Sequence, residues 1–172
     1  MPCRIVFVTG TPGTGKTTVA KLLAEKTGYE YIDLNAILLS RYKLDYDPEA
    51  ETWDVDVEKA VRDVELPEKC VIDGHLSHHF PVDIVIVLRC RPNVLRERLR
   101  EKGWNEQKIK ENVEAEAINV IGEEARWDND RVFEIDTTSL SPEKVVEEAV
   151  KILNGSGKSV MYDFLEDLFK EV

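Results

Sequence analysis

Two kinds of apolar segment alternate along the chain. Residues 3–8 and 83–90 are short, nearly continuous and rich in β-branched side chains, as in strands covered on both faces of a parallel sheet. Cys70–Asp73 and residues 132–135 read the same way. Between these runs the spacing turns helical. Residues 16–26 place Val19, Ala20, Leu22 and Leu23 on one face, and Gly28 supplies a stop. Residues 29–33 predict a short strand and Leu34–Arg41 a short helix. Past Pro92 a helix over 93–102, with Asn93 as candidate cap, ends at Gly103. Ile109, Val113, Ala117, Val120 and Ile121 then seam one long helix over 105–127. Ser141-Pro142-Glu143 opens a last core helix that runs to about residue 153. Strands alternating with helices at this spacing predict an α/β fold, a doubly wound parallel sheet of five strands with right-handed crossovers.

Two segments break the alternation. Residues 45–65 hold nine acidic side chains against Lys59 and Arg62, with Trp53 and Val55 interleaved. This is either a solvated loop or a docking face for something basic. At the other end, Gly155-Ser156-Gly157 is a linker, and beyond it Val160, Met161, Phe164, Leu165, Leu168, Phe169 and Val172 would share one face of an amphipathic helix. The expected organisation is one unit over 1–154 followed by a linker and helix over 155–172.

Size and charge narrow the classes. A chain of 172 residues suits one domain and buries roughly 70% of its unfolded surface, so its core needs neither disulfide nor metal. With 23 basic and 34 acidic residues the net charge is −11, which argues against broad adhesion to nucleic acid or anionic membranes and suits a basic protein partner. No apolar run approaches the roughly 18 residues of a membrane span, and Met1-Pro2-Cys3-Arg4 does not open a secretory leader. An intracellular protein is expected. Cys3, Cys70 and Cys90 lie in or beside apolar runs without CxxC spacing, as buried free thiols do.

The chemistry concentrates after the first strand. Gly10-Thr11-Pro12-Gly13-Thr14-Gly15-Lys16-Thr17 fits G-x-x-x-x-G-K-[ST], followed by Thr18. At average composition a chance match occurs in about 0.6% of chains this long. Glycines let the backbone turn its N–H groups around a phosphate while the following helix points its positive end at the same anion. Lys16 would reach the β- and γ-phosphates and Thr17 would offer Mg²⁺ its hydroxyl. The cation also needs a carboxylate at a neighbouring strand end, and Val71-Ile72-Asp73-Gly74-His75 provides Asp73. The alternative for Asp73 is a cap. His75 shares the side of Asp73 if the strand persists, and would orient water or touch the γ-phosphate. His78 and His79 complete a histidine cluster, but no fourth ligand has zinc spacing. Asp33 either serves the cation and acceptor side or caps the helix at Leu34. Arg98 and Lys102 form the preferred nucleotide-facing i,i+4 pair, with Arg96 and Arg100 on a solvated face. Burial is the default for Trp53, Trp104 and Trp127, and the acidic polar face of the tail (Asp163, Glu166, Asp167, Glu171) argues against a membrane role for it.

These residues together resemble a known family. Gly10-Thr-Pro-Gly-Thr-Gly-Lys-Thr-Thr18, Tyr31-Ile-Asp-Leu34, Asp73-Gly-His75, Phe80-Pro81, Asn93-Val-Leu-Arg-Glu-Arg-Leu99 and Gly103-Trp-Asn-Glu106 look like adenylate kinase isoenzyme 6, the coilin-interacting nuclear ATPase family, in an archaeal form. The resemblance spans residues 1 to about 153. It implies a P-loop NTPase with an adenylate-kinase-like fold, an acceptor-binding insert at about 30–65 and a short lid at about 101–111. It implies ATP binding by Gly13, Gly15, Lys16, Thr17 and Thr18, a Walker-B-like pair in Asp73 and His75, and Mg²⁺ at Thr17 and Asp73. The implied activities are nucleoside-monophosphate kinase and ATPase. The implied setting is late maturation of the small ribosomal subunit through a basic-tailed ribosomal protein, in the cytoplasm for an archaeal chain. AMP or another nucleoside monophosphate would be the acceptor, and contact with the 40S or 30S precursor would be indirect. Lys102 stands where the family usually has Arg, losing a planar two-pronged grip. Asp73-Gly-His75 also lacks the acceptor arginine that ordinary adenylate kinases carry after this strand, leaving Arg41 as a partial replacement. The second lid helix is acidic at Glu111, Glu114 and Glu116, so kinase turnover with AMP would be slow and water would compete as acceptor.

Overall fold

The computed structural model describes residues 4–75 and 79–170. A central sheet of five parallel strands runs in the order β2-β5-β1-β6-β7, with β1 Ile5–Gly10, β2 Glu30–Asp33, β5 Cys70–Asp73, β6 Ile84–Arg89 and β7 Val132–Asp136. Alternation sorts the strand residues between two layers. Val6, Val8, Val71, Ile86 and Leu88 pack beneath α1 (Lys16–Thr27) and α7 (Pro142–Leu153). Phe7, Ile72, Val85 and Val87 face α2 (Leu34–Arg41), α3 (Val57–Asp63) and α6 (Val120–Asp128). A third cluster of Cys90, Leu95, Leu99, Ile109 and Val113 joins α4 (Pro92–Glu101) to α5 (Glu106–Ala117).

The α/β class and the five parallel strands agree with the sequence reading, and the chain departs from it in several places. The acidic insert contains an antiparallel hairpin, β3 Lys43–Asp47 with β4 Thr52–Val55. Its strands are mostly exposed on both faces, so no hydrophobic alternation marks them. The helix expected over 105–127 breaks at Asn119, whose φ of 58° lies in the left-handed region. Its amide donates to the buried Glu134 at 2.7 Å, a tertiary bond that repays the break. The helix after β6 begins at Pro92 with Arg91 in the cap position, since proline suits a first helical residue whose N–H has no intrahelical partner. The cap expected at Asn93 is therefore not the one formed.

The tail departs most. Residues 158–164 form neither helix nor strand and only Leu165–Leu168 make a short 3-10 turn, so the amphipathic helix expected there does not form in the described residues. Phe164 is buried while Phe169 is 72% exposed, so the two do not share the one apolar face expected of them. Trp53 and Trp127 are exposed rather than buried. Lys43 lies 4.0 Å over the Trp53 ring, and Tyr46 packs beside it. Among the described residues no helix is long and apolar enough to cross a membrane.

Candidate active site

The carboxyl ends of the strands share one edge, and chain reversal beside β1 opens a crevice there. The loop Gly10–Lys16 fills it. Gly13 and Gly15 hold φ of 93° and 90°, a region where an L side chain is strained. At Gly13 a Cβ would also meet Leu95 at 2.9 Å and Leu99 at 3.0 Å, so the loop lies flush on α4. Gly15 is the N-cap of α1 and carries no side-chain cap, leaving the first-turn amides of Lys16, Thr17 and Thr18 directed at the crevice.

Asp73 ends β5 beside this helix start, only 5% exposed. Thr17 Oγ1 donates to its Oδ2 at 2.6 Å, and the Tyr31 hydroxyl donates to the same oxygen at 3.0 Å. Two hard oxygen donors therefore meet at the loop's mouth, a donor set that fits Mg²⁺. Burial lowers the Lys16 pKa, Asp73 opposes that shift and the charge of Lys102 adds to it. Lys16, Asp73 and Lys102 thus sense one another across the crevice. Burial followed by repulsion from Lys16 lowers His75 to about 4 against the pull of Asp73, so the imidazole is neutral at pH 7. Burial and the bond to Asp73 raise Tyr31, whose phenol stays protonated and donating.

Arg98 reaches back from α4. Its NH1 lies 3.4 Å from the Gly13 carbonyl and donates to Thr137 Oγ1 at 3.1 Å, while NH2 donates to the Thr137 carbonyl at 2.9 Å. Behind the loop, Arg98, Lys102, Thr137, Leu140, Pro142 and Val145 line a cleft of about 380 Å³, continuous with Gly13, Gly15 and Thr18. With Arg98, Lys102 and Glu101 on one wall and apolar side chains on the other, it has the size of a small-ligand site.

The expected residues thus divide. Gly13, Gly15, Lys16, Thr17, Thr18, Asp73, His75, Arg98 and Lys102 converge on one crevice. Asp33 ends β2 in register with Asp73 but spends Oδ1 capping α2 through the Ala36 amide at 3.0 Å. Arg41 is exposed in the last turn of α2. His78 lies outside the described residues, and among those described no three His, Cys, Asp or Glu side chains converge on a metal-sized site. Tyr31 was missed. It sits two residues from Asp33, on the same side of β2, and that parity is the only sequence signal of its place beside Asp73.

With this geometry fixed, likeness to known proteins becomes specific. A family model described as "AAA domain" matches residues 6–119. Over 171 residues the chain is 46% identical to a Thermococcus onnurineus protein named "Putative adenylate kinase", covering 98% of this chain and 95% of that one. A Pyrococcus abyssi protein of the same name is 45% identical over 159 residues, covering 90% and 86%. The chain belongs to the family of these archaeal P-loop proteins. A gluconokinase from Sinorhizobium meliloti shares the family's fold, with a TM-score of 0.58 at 18% identity over 99% of this chain and 97% of that one. Family membership and the crevice together mark a nucleotide-binding protein of the kinase type.

Proposed function

We propose that the protein is an ATP-dependent nucleoside-monophosphate kinase of the isoenzyme 6 branch, with AMP as acceptor, Mg²⁺ as cofactor and hydrolysis of ATP as a side reaction. The observation that supports this best is Asp73 held 2.6 Å from Thr17 at the mouth of a glycine loop that carries Lys16. Thr17 and Asp73 would hold the cation, whose contribution is to neutralise phosphate charge. The amides of residues 13–18 and Lys16 bind the phosphates, and the cleft walled by Arg98, Leu140 and Pro142 takes the base. His75, neutral at pH 7, accepts or donates one hydrogen bond to water or the γ-phosphate without adding charge.

A substrate comparison tests the reading. ATP with AMP should form ADP faster than ATP alone forms phosphate; equal rates would remove AMP as acceptor. Lys16→Ala should lose both nucleotide affinity and turnover, whereas Asp73→Ala and His75→Ala should keep nucleotide binding and lose turnover. Equal binding losses in all three would contradict these roles.

The acceptor side favours a second activity. The hairpin insert is acidic and exposed, and Lys43 already covers Trp53. Such a surface suits a Lys/Arg-rich protein tail, in the cytoplasm a small-subunit ribosomal protein, whose capture and release would follow the nucleotide state and reach the 30S precursor only indirectly. Binding of a basic ribosomal tail that does not differ between ATP-analogue and ADP states, or that survives 0.5 M salt (roughly a 4 Å screening length), would exclude it.

A further inference from the structure

Away from the crevice, the interior holds a dense set of charges. Arg89, at the end of β6, is completely buried, and so are Glu116 of α5 and Glu134 of β7 to within a few per cent. Arg89 Nε donates to Glu116 Oε1 and NH1 to Glu134 Oε2, both at 2.8 Å, while NH2 donates to the Glu116 carbonyl at 2.9 Å. Glu134 also accepts from Asn119 at 2.7 Å and Arg126 at 2.8 Å. Removing such groups from water costs so much that apolar side chains of equal volume often hold a fold as well. What this cluster adds is fixed geometry, and two of its bonds lead elsewhere.

The first leads to the phosphate loop. Glu116 Oε2 accepts the Thr11 hydroxyl at 2.5 Å, and its Oε1 accepts the Cys90 amide at 3.0 Å. The carbonyl of Thr11 in turn accepts the amide of Thr14 at 3.2 Å and its hydroxyl at 2.7 Å. Wherever Glu116 holds Thr11, the turn of the loop follows.

The second leads to the tail. Tyr162 is gripped by its main chain, its N–H donating to Glu134 at 2.9 Å and its carbonyl accepting from Arg89 at 2.8 Å. The Phe164 ring, 3% exposed, lies 5.1 Å from the Arg89 guanidinium and 5.4 Å from that of Arg91. Asp167 pairs with Arg91 at 2.8 Å, and Leu168 packs on the cluster that joins α4 to α5.

We propose that Glu116 is a positioning residue for the phosphate loop, and that residues 158–170 form a strap that completes its charge cluster, so that order in the strap sets nucleotide affinity. This rests on the loop being the nucleotide site. Neither Glu116 nor the strap touches the cleft; both act through Thr11.

Isothermal titration of a non-hydrolysable ATP analogue against the full chain tests the link, at a temperature where every variant is folded by circular dichroism. Thr11→Val should weaken binding about tenfold, the scale of one hydrogen bond to a charged group. Thr11→Ser, which keeps the hydroxyl, should stay within about twofold of wild type. Phe164→Ala should weaken binding several-fold, and the double variant Thr11→Val with Phe164→Ala should bind no worse than Thr11→Val alone, because both act through one bond. If Phe164→Ala does not fold, Asp167→Asn replaces it in the cycle, with a smaller expected loss. Wild-type affinity in Thr11→Val overturns the positioning role, and full additivity in the double variant overturns the strap's link to it. A wild-type chain that fails to bind the analogue would instead defeat the assignment of the loop as nucleotide site.

Discussion

Replacing Tyr31 by Phe removes one atom from the site and nothing else. The ring keeps its place against the sheet and its contact with Lys21, whose ammonium lies 5.4 Å from the ring centre. What is lost is the 3.0 Å bond to Asp73 Oδ2. A hydrogen bond to a charged acceptor contributes about 1.5–3 kcal/mol. Because Thr17 still donates to the same oxygen at 2.6 Å and the phenol is only half-buried, about 1 kcal/mol is the appropriate share, and for a chain of this size it lowers Tm by roughly 2–4 °C. The effect on the cation should be larger. Thr17 and Tyr31 fix the carboxylate from two sides, and losing such an orienting partner costs about tenfold in metal affinity at the low end. Calorimetry of the nucleotide-free protein reads the first number. A Mg²⁺ titration of fluorescent-nucleotide binding, Tyr31→Phe beside wild type, reads the second. A fall in Tm with unchanged half-saturating Mg²⁺ would refute the orienting role and leave Tyr31 a packing residue.

Three further outcomes follow from the same geometry. Gly13→Ala should destabilise by about 1–3 kcal/mol and weaken nucleotide binding, since a Cβ there meets Leu95 at 2.9 Å in a strained backbone region; denaturant unfolding and titration measure both. Arg98→Ala should raise KM for ATP several-fold with a smaller change in kcat, because it removes the clamp joining Gly13 to Thr137 rather than a group at the reacting phosphate; the reverse split would place Arg98 in the chemistry. Burial pushes the Cys70 and Cys90 thiols up to about 11 from an ordinary 9. Between those values the unfolded chain has shed protons that the native chain retains, so stability is full below pH 9 and declines as pH rises towards 11. In a Cys3→Ser background at pH 8, both thiols should react with a disulfide reagent only after denaturation, and prompt labelling of the native protein would contradict their burial.

Periodicity revealed the five parallel strands and most of the helices between them, and motif spacing revealed the glycine loop, because each depends on local sequence; the helix Val57–Asp63 inside the acidic insert was not legible. The residues of the crevice were legible for the same reason: Lys16 and Thr17 follow the loop directly, and Asp73 ends an apolar run. Whatever depended on distant partners was hidden. Asn119 interrupts a helical seam for the sake of Glu134, fifteen residues on. The tail reads as an amphipathic helix, yet its main chain at Tyr162 is worth more to Arg89 and Glu134 outside a helix, since those buried charges take up its carbonyl and N–H. Tyr31 meets Asp73 only because β2 and β5 lie side by side in the sheet. A chain can announce where it turns and what it buries, but which polar groups satisfy one another in the interior is decided when strands far apart in sequence become neighbours, where an unpaired charge is too costly to leave.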